Sequence, residues 1–469
     1  MSWERIAESV QWFFLLYFVA LNLGYLLLNA LSLLELPREL ERRLISMLPR
    51  VHSGYEPPIS VIMPAYNEAA TIATSVRSML QLEYPEIEVI VVNDGSRDGT
   101  LEALRREFAL VPYPEAYWRR LEVKPVRSIY RSTRFPNLRV VDKENGGKAD
   151  AVNAGVNAAR YPLACVVDAD SILERASLRR VVIPFLTSPH TVASGGTVRI
   201  ANGCEVRGGF LETVGLPRKL LPLLQVVEYL RAFLFGRLGW APMNAVPIIS
   251  GAFGLFRKDA LIDAGGFRVG SIGEDMELVV RLHRVNRLTG RPYHIAFVPD
   301  PICWTDAPES LEVLRKQRAR WQRGLGESLQ FNRALLFHPR GGAPGWIMFP
   351  FMVAFELLSP LVEVAGYVLM ALGFALGVIS ATAFWTFILL AVALGLMLSA
   401  SALLLEEMTF HIYKRPSELA ALAAAALIEN FGYRQLIALW RLHGLWQWAS
   451  GRTGSWGEMK RSTSWQKGL

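Results

Sequence analysis

The chain has 469 residues, of which 52% are hydrophobic and 20% charged, and its formal net charge is +8 at neutral pH. The hydrophobic share is too large for an ordinary soluble enzyme, and the charged share is too large for a protein embedded wholly in a bilayer. We therefore predict a soluble domain joined to membrane-spanning segments. The positive charge fits lipid headgroups and nucleotide phosphates better than nucleic acid. The three cysteines form no paired motif, which argues against a disulfide framework.

The first predicted element is a membrane-spanning helix over residues 12–34, which contain no charged residue. This run is long enough to cross a hydrocarbon layer of roughly 30 Å. A signal peptide is the rival interpretation, but the apolar run is too long and no small-residue cleavage site follows it. Arginines are concentrated on its C-terminal side, at Arg38, Arg42, Arg43 and Arg50. The positive-inside rule then places the following domain in the cytoplasm, and we assign residues 1–50 to this helix and a basic linker.

Residues 51–340 are predicted to form an α/β domain. The apolar runs ISVIMPAY, EVIVVND, LRVVDKEN and LACVVDAD alternate with helix-like segments. This rhythm predicts a mostly parallel sheet with helices on both faces. Ligands of such sheets bind beyond the carboxyl ends of the strands, where Glu68, Asp94 and Asp168 fall. The basic segment 110–137 interrupts the pattern, and we expect it to be a solvated or lipid-facing loop.

Residues 341–469 are predicted to return to the membrane. The uncharged stretch 364–405 is long enough for two spans with a tight turn near Ser380. Residues 346–363 contain two glutamates, so they either extend the first of these spans or lie at the interface. Residues 418–449 are apolar but are interrupted by Glu429, Arg434 and Arg441, and a basic tail follows them. We expect these residues to form a helix pair that dips into the membrane without crossing it.

Two acids separated by one residue, Asp168 and Asp170, follow the strand-like run that ends in Val166 and Val167. In an extended chain their side chains point the same way. Like charges held so close repel each other unless a cation lies between them. A divalent cation that also holds a phosphorylated substrate is the candidate, since such ions prefer oxygen ligands. An acidic turn after a strand is the commoner explanation for such a tripeptide taken alone.

Other stretches at predicted element ends also carry polar side chains, and each has a purely structural explanation. An Asx-turn and helix cap account for NDGS at residues 93–96. A helix N-terminus with an adjacent lysine suits phosphate, but the glycines at 146–155 match neither a Walker loop nor a dinucleotide fingerprint. The aspartate of GED at 273–275 fits a helix cap, and QRARW at 317–321 fits a basic lipid-facing helix. Singly, these motifs do not decide the function.

Taken in order, PAYNE, NDGS, GGKADAVNAG, DAD, GED and QRARW resemble, over residues 57–330, the membrane-integrated family-2 glycosyltransferases. That family includes the synthases of cellulose, chitin, hyaluronan and poly-N-acetylglucosamine, and the resemblance implies a GT-A-like fold. The sparse layout of spans is closest to the poly-N-acetylglucosamine synthases. The stretch 248–258 lacks the cysteine found near this place in cellulose and chitin synthases. No regulatory β-barrel domain is predicted after the last hydrophobic segment.

The resemblance implies roles for individual residues and a Mg²⁺ or Mn²⁺ cofactor. Asp168 and Asp170 are expected to hold the ion, and Asp275 is expected to be the base that deprotonates the acceptor. Trp321 is expected to stack on the acceptor sugar. The nucleotide-sugar site is expected to include Tyr66, Glu68, Asp94, Lys148, Asp168, Gln317, Arg318 and Arg320. The donor is expected to be UDP-N-acetylglucosamine or UDP-glucose, between which the sequence does not distinguish.

The activity implied is inverting transfer to a growing β-linked polysaccharide at the cytoplasmic face of a bacterial inner membrane. We expect a multi-pass protein in contact with membrane lipids, coupled to export and to small membrane or periplasmic export partners. The alternative is a single-addition enzyme that makes a glycolipid, as ceramide-glucosyltransferase-like proteins do with the same motifs. A receptor or transporter with an inactive transferase domain is disfavoured because all the expected acids are present.

Overall fold

The computed structural model of the chain describes residues 3–46 and 56–451. The strands are β1 (Ile59–Ala65), β2 (Ile87–Asp94), β3 (Leu110–Pro112), β4 (Val126–Ser132), β5 (Leu138–Lys143), β6 (Leu163–Val167), β7 (Ile172–Leu173), β8 (Thr191–Ile200), β9 (Glu205–Arg207), β10 (Phe210–Thr213), β11 (Phe253–Arg257) and β12 (His294–Thr305). The helices are α1 (Trp3–Ser46), α2 (Ile72–Leu80), α3 (Thr100–Phe108), α4 (Lys148–Ala158), α5 (Ser177–Val181), α6 (Ile183–Thr187), α7 (Leu220–Leu238), α8 (Lys258–Asp263), α9 (Glu274–Thr289), α10 (Leu311–Phe331), α11 (Pro344–Leu357), α12 (Ser359–Ala375), α13 (Ala381–Thr409), α14 (Pro416–Ile428) and α15 (Tyr433–Ala449).

The main sheet has the strand order β3-β4-β5-β2-β1-β6-β11-β8-β12-β7. The strands β5, β2, β1 and β6, which contain the four apolar runs, pair in parallel as predicted. Their valines and isoleucines are buried except for the half-buried Ile87, as expected for strands covered on both faces. β11 runs antiparallel between β6 and β8, so the sheet is more mixed than the sequence indicates. The predicted GT-A-like α/β fold is confirmed.

The basic segment 110–137, expected to be a loop, contains two strands that extend the sheet at one edge. β4 pairs antiparallel with both β3 and β5. Ile129 and Tyr130 of β4 are buried, whereas Arg127 is exposed. Successive side chains of a strand point to opposite faces of the sheet, so charged side chains on the exposed face of β4 are compatible with its pairing, which explains how a basic segment can be part of the sheet.

Within the part of the chain that the structure describes, two helical segments are long and apolar enough to cross a membrane, Ser9–Pro37 within α1 and Ala381–Thr409, which is α13. The pair α11 and α12 forms a third if it is counted as one span, bent by 40° at their junction. Pro360 lies in the first turn of α12, where its missing N–H explains the break. The predicted turn near Ser380 is confirmed, because the Ser380 hydroxyl caps α13 by accepting from the Ala383 N–H at 3.1 Å.

The expected helix pair of residues 418–449 is present as α14 and α15. Charged residues in these helices make buried contacts within the protein. Arg231 of α7 pairs with Glu429 at 2.5 Å, and Arg441 of α15 pairs with Glu356 at 3.0 Å. α15 packs on α10 and on α12, so it joins the sheet domain to the apolar helices. The dip of this pair into a membrane stays a prediction.

Candidate active site

The loops that follow β1 and β2 are tied together by hydrogen bonds at the carboxyl edge of the sheet. The Glu68 N–H donates to the hydroxyl of Thr100 at 2.9 Å, and the Ala69 N–H donates to Asp98 at 3.0 Å. Asn67 has a left-handed backbone with φ of 57°, which asparagine tolerates better than most residues. These contacts leave Tyr66 exposed at the start of the loop. Tyr66 and Glu68 therefore lie at the strand ends, where the sequence places a nucleotide.

Asp94, at the end of β2, is buried and bonded on all sides. Its carboxylate pairs with the ammonium of Lys143 at 2.6 Å and accepts from the N–H groups of Gly146 and Gly147 at 3.0 and 2.8 Å. The side-chain amide of Asn145 donates to its main-chain carbonyl at 2.8 Å. Asp94 thus holds in place the glycine turn that precedes α4. This supporting role for Asp94 is not visible from the sequence.

Asp168 and Asp170 lie in a turn, whereas the sequence predicts an extended backbone at these residues. β6 ends at Val167, and the main-chain carbonyl of Asp168 accepts from the Ser171 N–H at 3.0 Å. Burial, and then the negative charges of Asp168 and Asp170, raise the pKa of the Cys303 thiol on β12. Both acids are therefore near the Cys303 thiol, and they belong to the turn after β6 and not to the strand itself.

Lys148, the first residue of α4, lies among three acids. Its ammonium is 2.5 Å from a carboxylate oxygen of Asp168 and 3.5 Å from one of Glu274. Burial lowers the pKa of Lys148, but the charges of Asp168 and Glu274 outweigh burial, so the pKa is raised above its usual range. Burial raises the pKa of Glu274, against the opposing effect of the Lys148 charge. The cluster thus holds the Lys148 ammonium firmly between Asp168 and Glu274.

Asp275 is fixed beside this cluster at the start of α9. One carboxylate oxygen accepts from the Gly251 N–H at 2.9 Å, and the other accepts from the Met276 N–H at 2.8 Å. A Cβ at Gly251 would lie 3.1 Å from the Lys148 ammonium and 3.3 Å from an Asp275 oxygen. A residue with a side chain at position 251 would crowd both groups, so the glycine allows the predicted base to approach Lys148.

The start of α9 packs directly on α10, the helix that carries QRARW. Gly273 and Gly324 meet so closely that a Cβ on either would lie 3.0 Å from the Cα of the other. The Ile272 N–H also donates to Glu327 at 3.0 Å. This contact of two glycines brings the GED and QRARW motifs to one place although they lie more than forty residues apart.

Within QRARW, Arg318 is buried and engaged by protein groups. Its guanidinium pairs with Glu228 of α7 at 2.8 Å and donates to the Gln317 side chain at 3.0 Å. The Tyr433 hydroxyl donates to the same Glu228 at 2.8 Å. Arg318 thus connects α7, α10 and α15, and its contacts with donor phosphates stay a prediction. Arg320 and Gln317 are half-buried on the same helix.

Trp321 is 44% exposed, so a large part of its apolar ring is accessible. The guanidinium carbon of Arg318 lies 4.3 Å from its ring centroid, and the Tyr229 ring lies 6.5 Å away. A cation and a second ring hold the indole in place while one of its faces stays accessible. Such a face is suited to stacking on a sugar.

Three residues that build this site, Glu274, Glu228 and Gly251, are not predicted from the sequence. Glu274 is the middle residue of GED, Glu228 lies in an apolar run with no motif, and Gly251 lies in the stretch 248–258, which contains no recognised site motif. Glu274 had a sequence signal, because an acid beside a predicted base in a helix start is exposed to the same ligand. Glu228 and Gly251 act through contacts that only the folded chain reveals.

The oxygen donors present fit a hard divalent cation that also binds phosphate. Over residues 3–46 and 56–451, no group of three or more histidine, cysteine, aspartate or glutamate side chains is arranged to hold a metal. Asp168 and Asp170 would supply two carboxylates, and phosphate oxygens of a substrate and water would complete the shell. This arrangement is typical of Mg²⁺ or Mn²⁺ bound with a diphosphate.

These features are those of a sugar-transferring enzyme of the GT-A-like type. They are the polar carboxyl edge of the sheet, the acids around Lys148 and the exposed ring of Trp321. Comparison with known families agrees. The model described as Glycosyl transferase family 2 matches residues 60–264, and that described as Glycosyl transferase family group 2 matches residues 165–399. The second match covers half of the chain, and the chain belongs to the family-2 glycosyltransferases.

The chain is similar to curated poly-β-1,6-N-acetyl-D-glucosamine synthases. It is 30% identical over 272 residues to that of Staphylococcus epidermidis and 31% identical over 274 residues to that of Staphylococcus aureus strain COL. Each alignment covers 58% of this chain and 55% of the relative, so the chain spans about half the length of the relatives it matches. The resemblance to this group is confirmed.

Among solved structures, the fold is similar to the mannosyltransferase PcManGT from Pyrobaculum calidifontis, which was solved with GDP-Man and Mn²⁺. The TM-score is 0.51 at 20% identity, and the match covers 88% of this chain and 99% of the mannosyltransferase. At this identity, the similarity concerns the fold.

Proposed function

We propose that this protein transfers N-acetylglucosamine from UDP-N-acetylglucosamine to a growing β-linked polysaccharide at the cytoplasmic face of the membrane. The observation that carries the proposal is the fixed position of Asp275 beside Lys148 and Asp168, with the exposed face of Trp321 on the neighbouring helix. The choice of donor is supported by the names of the staphylococcal relatives. UDP-glucose is the competing donor.

Asp275 is proposed to act as the general base. It accepts the proton of the acceptor hydroxyl while the hydroxyl oxygen forms a bond to the anomeric carbon of the donor. The bond from that carbon to the diphosphate breaks, its electron pair leaves with UDP, and the configuration at carbon inverts. The N–H groups of Gly251 and Met276 hold the Asp275 carboxylate in one orientation, which positions the oxygen that is proposed to take the proton.

Lys148 and the two acids of the turn are proposed to hold the diphosphate. Asp168 and Asp170 would hold Mg²⁺ or Mn²⁺, which would offset the negative charge of the leaving UDP. Lys148 adds a fixed positive charge to the same place. In its present contacts Lys148 neutralises Asp168, and we infer that it turns toward the donor when the ion binds Asp168. Tyr66 and Glu68, at the strand ends, are proposed to contact the uridine.

The lengthening product is proposed to leave the site between the apolar helices. A cavity of about 1270 Å³ lies between α1, α7, α11, α12, α13 and α15. Glu228 lines this cavity and is also the partner of Arg318, whose guanidinium lies against Trp321. A sugar stacked on Trp321 is therefore next to the cavity. This continuity supports export of a lengthening product over release of a glycolipid.

Substitution of the base tests the chemistry. Purified Asp275→Asn is expected to lose transfer from UDP-N-acetylglucosamine while it binds UDP with nearly the wild-type affinity, since the base acts on the acceptor. Asp259→Asn, an exposed aspartate on α8, is the matched control and should transfer normally. A loss of UDP affinity as large as the loss of rate would show that Asp275 belongs to the donor site, and the proposed role would be wrong.

A further inference from the structure

A second cavity, of about 900 Å³, lies at the opposite edge of the sheet from the acid-and-lysine cluster. β8 begins at Thr191 beside this cavity and runs parallel to β12, which begins there at His294. Through β11, β8 also runs in the same direction as β6, whose far end leads to Asp168. The cavity and the proposed catalytic site therefore lie at opposite ends of the strands. No step of the proposed reaction uses this cavity.

The lining of the cavity is rich in arginine. Its cationic side chains are Arg180, Arg287, Arg291 and Arg340, and its acidic side chains are Glu35 and Asp300. Two of the arginines have carboxylate partners. Arg180 is 2.8 Å from Glu174, and Arg291 is 2.8 Å from Asp263.

Arg287 and Arg340 both line this cavity, and neither has a carboxylate partner among the residues that the structure describes. The Arg287 guanidinium donates to the Tyr293 hydroxyl at 3.1 Å, and that of Arg340 donates to the Leu288 carbonyl at 3.3 Å. A Cβ at Gly342 would lie 2.8 Å from the guanidinium carbon of Arg287, so the loop that carries Arg340 packs against Arg287. Two cationic side chains that line one cavity favour an anion there.

The cavity is lined by residues close in the chain to the ends of the apolar segments. Glu35 is two residues from the end of the apolar segment Ser9–Pro37, and Arg340 is four residues before Pro344, where the bent apolar pair begins. The sheet domain lies between these two segments in the chain, so both of these ends would lie on the same face of a membrane that the segments cross. A headgroup could then reach the cavity while its acyl chains stay among the apolar helices.

We propose that this cavity binds the phosphate of an anionic phospholipid headgroup through Arg287 and Arg340. Guanidinium groups match phosphate oxygens in planar, paired hydrogen bonds, which is why arginine is favoured at phosphate sites. Arg287 lies in the last turn of α9, where the helix dipole disfavours an anion, but that effect is smaller than two direct ion pairs. The site is independent of the donor sugar and of the proposed base.

The test compares lipid binding by the purified, delipidated full-length protein. Short-chain phosphatidylglycerol and short-chain phosphatidylcholine are titrated separately, and bound lipid is counted by native mass spectrometry. The wild type is expected to bind one more molecule of phosphatidylglycerol than of phosphatidylcholine. The double variant R287Q/R340Q is expected to bind it about tenfold more weakly or worse. Equal binding by wild type and double variant would overturn the proposal.

A second variant separates the cavity from its charge. Thr187 lies on the rim of the cavity with an exposed side chain, so T187W should fill part of the space and leave the arginines in place. T187W is expected to lose the bound phosphatidylglycerol as R287Q/R340Q does. The control R106Q/R207Q removes the same charge from two exposed arginines elsewhere in the sheet domain and should bind like wild type. Loss of binding in this control would overturn the assignment to the cavity.

Inorganic phosphate distinguishes the source of the ligand. If the occupant is a lipid headgroup, inorganic phosphate should displace phosphatidylglycerol only at concentrations at least about a hundredfold above those of the lipid, because it gains nothing from the acyl chains. Displacement at equal concentrations would mean that a soluble phosphate compound is the occupant, and the lipid assignment would be wrong.

Discussion

Asp94 offers the sharpest test of how the site is held together. Asp94→Asn keeps the size of the side chain but removes its charge and turns one acceptor oxygen into a donor. That donor would face the N–H groups of Gly146 and Gly147, which now donate to Asp94 at 3.0 and 2.8 Å. The change also removes the 2.6 Å ion pair with Lys143, whose side chain is fully buried.

The expected loss follows from these contacts. Removing one partner of a buried ion pair costs roughly 3–5 kcal/mol. Lys143 keeps a second partner, Asp150, at 2.5 Å. We therefore expect the lower end, a loss of about 3 kcal/mol in the free energy of unfolding. This corresponds to a fall of roughly 6–12 °C in the melting temperature for a domain of this size.

The matched comparison is Asp98→Asn in the neighbouring turn. Asp98 accepts from the N–H groups of Ala69 and Thr100, both at 3.0 Å, but pairs with no buried cation in the described part of the chain. Its loss should cost about 1 kcal/mol, as for a helix cap. Unfolding of both variants is followed in detergent by tryptophan fluorescence during heating, together with UDP affinity by calorimetry. Equal melting temperatures for the two variants would refute the reasoning about Lys143.

Three other predictions follow from the site and the core. Asp170→Asn should insert and fold normally but lose nearly all turnover of nucleotide sugar, and EDTA should do the same to the wild type; full activity in either case would contradict the metal role. Trp321→Ala should slow elongation by about fivefold or more, as expected for the loss of roughly 1 kcal/mol of stacking, with UDP affinity unchanged. A general loss of membrane insertion with normal specific activity would instead make Trp321 an interfacial anchor. Burial lowers the pKa of His283 to about 4, so between pH 6.5 and 4 the unfolded chain binds more protons than the folded one, and stability falls as the pH falls. The free energy of unfolding should therefore fall by roughly 2 kcal/mol between pH 8 and pH 5. Denaturant unfolding at each pH should show this fall in the exposed-residue control His190→Asn and not in His283→Asn.

Local features of the sequence predicted much of the fold. The four apolar runs became parallel strands because a run of valine and isoleucine has no stable place except between two covered faces of a sheet. The break near Ser380 was visible because a capping hydroxyl follows a glycine-containing apolar stretch. The start of α9 at GED was visible for a similar reason, since acids are favoured in the first turn of a helix.

The features that sequence reasoning missed depend on contacts between distant segments. The approach of Gly273 to Gly324 and the pairing of Arg318 with Glu228 join segments far apart in the chain, and neither leaves a local pattern. The arginines of segment 110–137 predict a loop, whereas a strand can also carry charged side chains on its exposed face. The turn at Asp168 was missed because the end of a strand depends on its neighbours.

The predicted site residues differ in how directly their position could be foreseen. Asp168 and Lys148 were expected in one site, and a carboxylate oxygen of Asp168 lies 2.5 Å from the Lys148 ammonium. Asp275 was expected to be a base and is held 2.9 Å from the Gly251 N–H beside them. Asp94 and Arg318 were expected to touch the donor, and the structure shows each of them bonded to buried partners within the protein. Their direct contact with a nucleotide sugar stays a prediction.

The length of the product tests the central claim most directly. Purified protein in lipid nanodiscs is supplied with Mg²⁺ or Mn²⁺ and with UDP-N-acetylglucosamine or UDP-glucose, and product mass is followed against time. The account predicts a β-linked N-acetylglucosamine polymer that lengthens with time, from UDP-N-acetylglucosamine only. A product that never exceeds one sugar on a lipid, however long the reaction runs, would contradict it.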